Sequence, residues 1–391
     1  MITLKLIIYI RRIMNNTKRP KVILGMSGGV DSSVAAYLLL KEGFEVEAVF
    51  MRNWDSTINY DILGNPTLND EICPQEIDYQ DAKKVSDKLG IKLHRVDFVK
   101  EYWEKVFSYF LDEYRQNRTP NPDVLCNNEI KFKAFIDYAS TLDYDYIAMG
   151  HYARVIKENG QVKLFKALDL NKDQSYFLSQ LTEKQLEKVI FPLGNLNKEE
   201  VRKIAYHLDL ETKDKKDSTG ICFIGERNFN EFLANYLPAK EGLIKRLDGT
   251  ILGRHFGLMN YTIGQRKGIG LGTIIGLDGP WYVVGKDLAS NTLIVENKDH
   301  LDYLKSDECL VKDLVLRTDL TKSSYQAKFR YRQKDQPVEI TLLADNKALI
   351  KYNNIKAVTP GQVLAIYDND ECIGAGFIDE VFYQGEKRRY S

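Results

Sequence analysis

Apolar and polar positions follow two repeating patterns in the first half of the chain. Residues 21–26 form a short apolar run, and apolar positions between 31 and 41 recur at the three- and four-residue spacing of a helix. Residues 44–50 then alternate apolar side chains with glutamates, as a half-buried strand does. Both patterns continue, with helices predicted at 75–89, 101–116 and 126–140 and strands at 91–98 and 146–149. This alternation predicts an α/β domain with a parallel sheet covered on both faces.

The pattern changes beyond about residue 240, where helical spacing disappears. Short β-type runs occur at 281–285, 292–296, 325–332, 338–343, 347–352 and 362–367. Asp345-Asn346 predicts a hairpin turn between two of these runs. We therefore expect two small β-rich domains, the last a barrel or a sandwich. The predicted division is a tail at 1–20, an α/β domain at 21–225, a central domain at 226–300 and a C-terminal domain at 301–391.

Composition narrows the class of protein but not its activity. The chain has 391 residues, and its 55 Lys and Arg balance its 55 Asp and Glu, so net charge does not indicate a nucleic-acid partner. Its five cysteines are widely spaced and form no CxxC pair, which argues against a disulfide framework and a zinc ribbon. A reducing, cytoplasmic location is therefore expected.

The first 20 residues fit none of the common targeting segments. The apolar run at 4–10 is far shorter than the roughly 20 residues that span a bilayer. Basic residues follow this run, whereas in a signal peptide they precede it. We expect no membrane association and interpret 1–20 as a disordered tail, or as an over-extended gene start with Met14 as the true initiator.

The strongest local signal is a Gly-rich loop, residues 27–33 (SGGVDSS), between the first strand and the first helix. Its glycines allow backbone amides to point at an anion, and the helix N-terminus adds free N–H groups and a positive dipole end. Ser27, Ser32 and Ser33 are expected to supply hydroxyl donors. Asp31 would repel a bound pyrophosphate unless a cation lay between them, so Mg²⁺ is expected there. The alternative is a Ser/Asp helix cap after a tight turn.

Two cysteines lie in contexts that favour reactivity. Cys126 follows a Pro-rich segment and precedes an amphipathic helix, so we expect the helix dipole to lower its pKa. Asp123, one turn earlier, is a candidate general base or proton handler. Cys222 lies in a Gly-flanked loop after several lysines, whose charge would also favour a thiolate. Cys73, Cys309 and Cys372 are interpreted as ordinary small residues.

Together with these motifs, several further stretches closely resemble the tRNA-specific 2-thiouridylases of the MnmA/TrmU family, which belongs to the PP-loop (adenine nucleotide α-hydrolase-like) ATP pyrophosphatase superfamily. The matching stretches are NPDVLCN at 121–127, GHY at 150–152, KDQSYF at 172–177, STGICFIG at 218–225, YTIGQRKGIG at 261–270, RYRQ at 330–333 and TPGQ at 359–362. The resemblance covers nearly the whole chain from Lys21 and implies that the last domain is a β-barrel.

The resemblance implies ATP-dependent 2-thiolation of the wobble uridine, position 34, in the anticodon loop of tRNA. The ATP-binding residues would be Gly25, Met26, Ser27, Gly28, Gly29, Val30, Asp31, Ser32, Met51 and Gly150. The tRNA-binding residues would be Asn121, Pro122, Asp123, His151, Lys172, Asp173, Gln174, Arg330, Tyr331 and Gln362. Cys222 would carry the persulfide and Cys126 would be the partner nucleophile, the two ending as a transient disulfide.

This activity requires partners and leaves some residues unexplained. The sulfur would come from a persulfide donor such as a cysteine desulfurase or a sulfur-relay protein. Around Arg330, the basic residues of 325–332 alternate with apolar ones, which predicts a basic strand face suited to phosphates. The loop predicted at 54–74 is longer than in some relatives, which leaves the role of Cys73 open.

Two alternatives from the residues alone remain. Another PP-loop enzyme, such as an amidotransferase-type synthetase that adenylates a small molecule, would explain the Gly-rich loop but not the contexts of Cys126 and Cys222. A non-catalytic tRNA-binding or sulfur-carrier protein would bind RNA or hold persulfide without turning over ATP.

Overall fold

The computed structural model describes residues 19–70, 72–217, 228–272 and 280–390. They form a parallel sheet, a four-stranded mixed sheet and a nine-stranded sheet that includes a closed barrel. The predicted order of an α/β domain followed by β-rich domains is therefore confirmed. No helix in these four ranges is long and apolar enough to cross a membrane.

The parallel sheet has the strand order β3-β2-β1-β4-β7. Its strands are β1 (Lys21–Gly25), β2 (Glu45–Arg52), β3 (Lys92–Asp97), β4 (Tyr146–Met149) and β7 (Val189–Ile190). Every neighbouring pair is parallel. β1 is buried on both faces, as expected for a central strand covered by helices.

The helices around this sheet include α1 (Val30–Lys41), α2 (Pro74–Leu89), α3 (Val99–Tyr102), α4 (Ser108–Arg115), α5 (Pro122–Leu125), α6 (Phe135–Ala139), α7 (Glu183–Leu186), α8 (Lys198–His207) and α9 (Phe229–Ala234). α2 ends where predicted, because Gly90 adopts φ +68° at its C-cap. π-helical turns connect α3 to α4 at Trp103–Phe107 and α5 to α6 at Cys126–Ala134.

The sheet reverses its strand order between β1 and β4. In an open parallel sheet, the loops that leave two such strands at their carboxyl ends diverge and form a crevice. Here the loop after β1 carries Ser27–Gly29, and the loop after β4 carries Gly150–Tyr152. The topology alone therefore brings two of the predicted binding stretches together.

The C-terminal part contains a six-stranded antiparallel barrel in the order β12-β15-β14-β13-β16-β17, closed by pairing between β12 and β17. Its strands are β12 (Lys305–Leu316), β13 (Tyr325–Lys328), β14 (Gln336–Leu343), β15 (Lys347–Lys356), β16 (Val363–Asp368) and β17 (Glu371–Tyr383). The short β18 (Glu386–Lys387) pairs with β17. The predicted turn is present, since Asp345 and Asn346 both adopt positive φ between β14 and β15.

A hairpin from the first half of the chain extends the barrel sheet. It consists of β5 (Ala153–Glu158) and β6 (Gln161–Lys166), and β6 pairs with β17. The separate four-stranded sheet has the order β10-β11-β8-β9. Its strands are β8 (Glu241–Lys245), β9 (Ile251–Phe256), β10 (Tyr282–Asp287) and β11 (Thr292–Glu296).

Two element predictions were wrong at their ends. The helix expected from residue 126 begins earlier, at Pro122, where proline is favoured because its missing N–H would be unpaired anyway. The strand expected at 325–332 ends at Lys328, and Arg332 adopts φ +62°. The predicted basic strand face is therefore absent. Lys328 is half-buried and lies 3.8 Å from Asp173.

The α/β domain and the barrel are joined through a buried arginine. Arg118, 8% exposed, donates from Nη1 to Asp379 at 2.8 Å and from Nη2 to the Ile378 carbonyl at 3.0 Å. Its Nε lies 3.0 Å from Glu113 Oε2, although these two atoms are not aligned as a hydrogen bond. A buried charge that loses its partners is costly, so this contact should hold the two domains together.

We expect Arg118→Ala to lower the free energy of unfolding by about 3 kcal/mol, because it leaves the buried Glu113 carboxylate without its counter-ion. Arg115→Ala is the matched control. Arg115 pairs with Asp112 on the surface, and such pairs contribute about 1 kcal/mol or less. Urea unfolding followed by circular dichroism measures both variants. Equal losses would contradict the role given to Arg118.

Candidate active site

The Gly-rich loop has the geometry of an anion site. Gly28 adopts φ +73°, and a Cβ there would lie 2.1 Å from the Asp78 carbonyl oxygen, so only glycine fits. Gly29 is the N-cap of α1 and receives no side-chain cap. The first amides of α1 therefore remain available at the crevice between β1 and β4.

The neighbouring predicted ATP-binding residues pack closely around this loop. A Cβ on Gly150 would meet the Ser32 backbone nitrogen at 2.9 Å, which places the loop after β4 against the first turn of α1. A Cβ on Gly25 would meet Met149 at 2.4 Å and Met51 at 3.2 Å. Met26 and Val30 are buried in the core, so only their backbones can contact a nucleotide.

The serine hydroxyls divide into two groups. Ser27 is exposed, whereas Ser32 is 4% exposed, accepts from Ser27 N and donates to the Gly29 carbonyl at 3.1 Å, so the Ser32 hydroxyl is already paired and only its backbone amide remains for a phosphate. Ser33 is fully buried, donates to the Gly29 carbonyl at 2.8 Å and accepts from Thr212. The expectation that Ser33 offers a donor to phosphate is therefore wrong, because its hydroxyl is enclosed and already paired.

Asp31 is neutralised by groups that the sequence did not indicate. Lys198, at the start of α8, donates to both carboxylate oxygens of Asp31 at 2.8 and 2.9 Å, and the Tyr152 hydroxyl donates at 2.8 Å. The repulsion from which Mg²⁺ was inferred is thus offset by Lys198. Within the described ranges, no group of three His, Cys, Asp or Glu residues could hold a metal ion. Mg²⁺ bound together with ATP stays a prediction.

Cys126 is buried, and its environment differs from the expected one. The thiol is 4% exposed, and burial raises its pKa to about 11, with the charge of Lys131 lowering it and that of Asp123 raising it. The predicted low pKa is therefore wrong in this conformation. Because the helix begins at Pro122, Cys126 lies beyond the first turn, where the dipole is strongest.

Lys131 connects Cys126 to two other predicted residues. Burial raises the pKa of Asp123, and Lys131 opposes that shift. Burial, followed by the charge of Lys131, lowers the pKa of His151 well below its usual value. One lysine thus acts on Cys126, Asp123 and His151, and His151 directly follows Gly150 at the phosphate loop. Lys131 was not among the predicted site residues, although it follows Cys126 by five residues.

Buried polar atoms near this cluster lack partners. His151 Nδ1 and Asn127 Oδ1 are both buried and make no hydrogen bond in the described parts of the chain. The Asn127 amide nitrogen donates to the Asp123 carbonyl at 2.9 Å, which fixes the side chain. Unpaired buried polar atoms are costly and often mark a position where a ligand supplies the partner.

The segment 119–122 that precedes Cys126 is held by the barrel. Gln362 Nε2 donates to the Thr119 carbonyl at 2.7 Å, and Thr119 N donates to the Pro360 carbonyl at 3.0 Å. The Tyr176 hydroxyl lies near the Asn121 side chain and donates to the Val363 carbonyl. Pro122 is buried. By binding the Thr119 carbonyl, Gln362 therefore fixes the backbone that leads into Asn121 and Asp123.

The stretch 172–174 is held beside the loop after β4. Gln174 exchanges two hydrogen bonds with the backbone of Tyr152, at 2.8 and 2.9 Å. Asp173 is buried, and its carboxylate accepts from Ala167 N, Ser175 N and Ser175 Oγ. Lys172 is partly exposed and pairs with Asp217 at 2.6 Å. In the structure, Asp173 and Gln174 therefore hold the neighbouring backbone in place. Direct contact of this stretch with tRNA stays a prediction.

Arg330 and Tyr331 lie beyond the end of β13. Arg330 is exposed, while Tyr331 packs against Phe177 with ring centroids 4.4 Å apart. Phe177 belongs to the same predicted stretch as Lys172. The structure therefore joins these two stretches, which are distant in sequence, into one surface beside the site.

Cys222 lies outside the described residues, but both flanks are described. On one side, Lys215 donates to the Gly28 carbonyl at 3.0 Å and pairs with Asp78 and Asp81. The charge expected to favour a Cys222 thiolate is thus already compensated at Lys215. On the other side, α9 begins after its cap Asn228, and Phe229 packs against Phe110 and Tyr114.

Comparison with protein families matches the chain in three consecutive parts. A tRNA methyl transferase HUP domain model matches residues 20–226, a tRNA methyl transferase PRC-barrel domain model matches 230–297, and an aminomethyltransferase beta-barrel domain model matches 306–378. The first of these models alone covers more than half of the chain.

Curated relatives match over nearly the full length. A tRNA-specific 2-thiouridylase MnmA of Acholeplasma laidlawii is 63% identical over 95% of this chain and 100% of the relative. The protein of the same name from Aster yellows witches'-broom phytoplasma is 60% identical, with the same two coverages. A Geobacillus kaustophilus MnmA is 54% identical over 93% of this chain and 96% of the relative. The chain therefore belongs to the MnmA family of tRNA-specific 2-thiouridylases.

Proposed function

We propose that this protein uses ATP and a cysteine persulfide to convert the wobble uridine of tRNA to 2-thiouridine. One arrangement of the described residues carries the proposal. Gly150 touches the phosphate loop, and the next residue, His151, packs against Phe132 of the π-helical turn that carries Cys126, with ring centroids 6.0 Å apart. An anion site and a thiol with a neighbouring carboxyl group therefore lie on either side of one short loop. The names of the full-length relatives support the same activity.

The first chemical step makes the C2 oxygen of uracil a good leaving group. That oxygen attacks the α-phosphorus of ATP, a new P–O bond forms, and the bond to pyrophosphate breaks. The loop amides and the Ser27 hydroxyl bind the phosphates, and Lys198 offsets the charge of Asp31 beside them. Asp123 takes the N3 proton of the base. Its raised pKa makes it a stronger base than an exposed aspartate.

The second step delivers sulfur to C2. The terminal sulfur of Cys222 persulfide attacks C2, and AMP leaves with the former C2 oxygen. The Cys126 thiol then loses its proton to solvent, and the resulting thiolate attacks the Cys222 sulfur. The S–S bond to the delivered sulfur breaks, and a Cys126–Cys222 disulfide forms. Two electrons pass from the two cysteine sulfurs to the delivered sulfur, and Asp123 returns its proton to N3. A thiol reductant then restores both cysteines.

A variant of this route has Cys126 cleave the persulfide first, so that free hydrosulfide attacks C2. Both routes end with the same disulfide and the same products. Both also require the exclusion of water, which would hydrolyse the adenylated base back to uridine. The burial of Cys126 is consistent with this requirement.

We expect Cys126→Ser and Cys222→Ser each to abolish 2-thiouridine formation, because a hydroxyl cannot carry or cleave a persulfide. Cys73→Ser is the matched control, since Cys73 is exposed and lies at the N-cap of α2. Nucleoside mass spectrometry of tRNA incubated with ATP and a persulfide donor measures the product. Full 2-thiouridine formation by both variants would contradict the roles given to the two cysteines. No 2-thiouridine from the unaltered protein, with ATP turnover unchanged in both variants, would instead favour a synthetase that adenylates a small molecule.

The phosphate loop can be tested separately from sulfur transfer. We expect Gly28→Ala to weaken ATP binding at least about tenfold, because the new Cβ clashes with the Asp78 carbonyl and the residue must keep φ +73°. Gly90→Ala is the control. It introduces the same backbone strain at φ +68° in open space, costs about 1 kcal/mol of stability and should retain ATP affinity. Equilibrium dialysis with labelled ATP, at a temperature where both variants are folded, compares them.

The buried state of Cys126 has its own pH signature. Since burial raises the pKa to about 11, the thiol is protonated at neutral pH, and the thiolate increases with pH. We expect the alkylation rate of Cys126 by iodoacetamide to rise about tenfold per pH unit from pH 7 to 9.5 without levelling. Peptide mass spectrometry follows Cys126, with exposed Cys73 reporting on the reagent in the same sample. A plateau below pH 8 would show that the thiol is activated.

A further inference from the structure

A cluster of positive charge beside the phosphate loop encloses a carboxylate of the chain itself. Asp217 lies 2.6 Å from Lys172 Nζ, 2.7 Å from Lys198 Nζ and 2.8 Å from Arg202 Nη2. Burial alone would raise the pKa of Asp217, but the hydrogen bonds and charges of Lys172 and Lys198 hold it at about 2. Asp217 is therefore a fully charged anion held by three cations.

Two of the three cations belong to a rigid element, α8. Lys198 and Arg202 lie four residues apart and so face the same side of α8. α8 is fixed at its start by a capping box between Asn197 and Glu200. Arg202 is fixed further by its hydrogen bond to the Lys213 carbonyl at 2.7 Å. The geometry of the cluster is thus set by the helix and does not depend on Asp217 alone.

The cluster is also open to solvent and in contact with the proposed ATP site. The side chains of Asp217 and Lys172 are 31% and 36% exposed, so a ligand can reach them. Lys198 bridges Asp217 and Asp31, which places the cluster directly beside the phosphate loop. That loop has no lysine of its own, unlike a Walker A motif. Three cations around a carboxylate form an arrangement that suits a phosphate group equally well.

We propose that Lys172, Lys198 and Arg202 form a phosphate-binding site in which Asp217 is exchanged for a phosphate of the substrate. The inference rests on the proposed function, which supplies two sources of phosphate, the nucleotide and the tRNA backbone. Lys198 pairs with Asp31 and so lies on the side of the cluster next to the proposed ATP site. Lys172 belongs to the stretch expected to bind tRNA. Exchange releases Asp217 from α8, five residues before Cys222, so that phosphate binding acts on the start of the chain segment that carries the persulfide.

The test removes the competing anion while keeping its shape. Asp217→Asn is expected to lower the dissociation constant for inorganic pyrophosphate, or for unmodified tRNA, about five- to tenfold, because the site no longer has to release its own carboxylate. Asp214→Asn is the matched control. Asp214 lies three residues earlier and bonds to the Tyr206 hydroxyl, outside the cluster. Titration calorimetry with pyrophosphate and filter binding with tRNA measure the two affinities on the full chain.

A second pair of variants separates the two sources. Lys198→Gln should weaken pyrophosphate binding if the nucleotide supplies the phosphate, and Lys172→Gln should weaken tRNA binding if RNA supplies it. A third readout is the alkylation rate of Cys222, measured by peptide mass spectrometry. We expect it to change at least about threefold in Asp217→Asn but not in Asp214→Asn, since only Asp217 is held by the three cations.

The outcomes are distinct. A gain in either affinity for Asp217→Asn alone supports the exchange and identifies its source. Unchanged affinities and an unchanged Cys222 rate, in a variant that melts like the control, would overturn it. Thiolation activity is scored separately, so an active enzyme without the exchange refutes only this inference. Conversely, an exchange in a protein that makes no 2-thiouridine refutes only the proposed function.

Discussion

The contact between the buried Arg118 guanidinium and β17 fixes the chain segment that leads to Asp123 and Cys126. It fixes the end of α4 to the barrel, and the backbone of Thr119 is then held by Pro360 and Gln362. Gly361 is required at this contact, because a Cβ there would lie 3.0 Å from Thr119 and 2.9 Å from Glu113. The barrel therefore sets the position of α5, and with it Asp123 and Cys126.

Features with a local physical cause could be predicted from the sequence. Strands β1 to β4 of the parallel sheet, the Gly-rich loop and the Asp345-Asn346 turn each depend on side chains within a few residues of one another, whereas the two-residue β7 was not predicted. The switch point between β1 and β4 follows from the alternation of strands and helices together with the general rules of such sheets. The family resemblance added that the last domain is a β-barrel, which local patterns left as a barrel or a sandwich.

Two of the strands that were not predicted, β12 and β17, have interrupted patterns. β12 contains register shifts and a positive φ at Asp313, so its apolar positions do not alternate cleanly. β17 is buried over most of its length, because it pairs with β12 and β16 and also meets β6. Its glycines would ordinarily argue against a strand. Gly374 is needed there because a Cβ would lie 2.2 Å from the Val315 carbonyl.

The candidate site shows the same division between local and long-range causes. The Gly-rich loop and the sequence contexts of the cysteines could be predicted. The charged groups that pair with the site residues come from distant parts of the chain, as Lys198 does for Asp31.

For Cys126, two opposing effects had to be weighed. A helix N-terminus lowers a thiol pKa within its first turn, whereas full burial raises it over the whole side chain. Burial is the larger effect here, and it reduces the thiolate at neutral pH about one hundredfold relative to an exposed cysteine. The same enclosure excludes the water that would destroy an adenylated base. The same burial that protects the intermediate therefore keeps the Cys126 thiol protonated until substrate arrives. The charge of Lys131 offsets only part of the rise in its pKa.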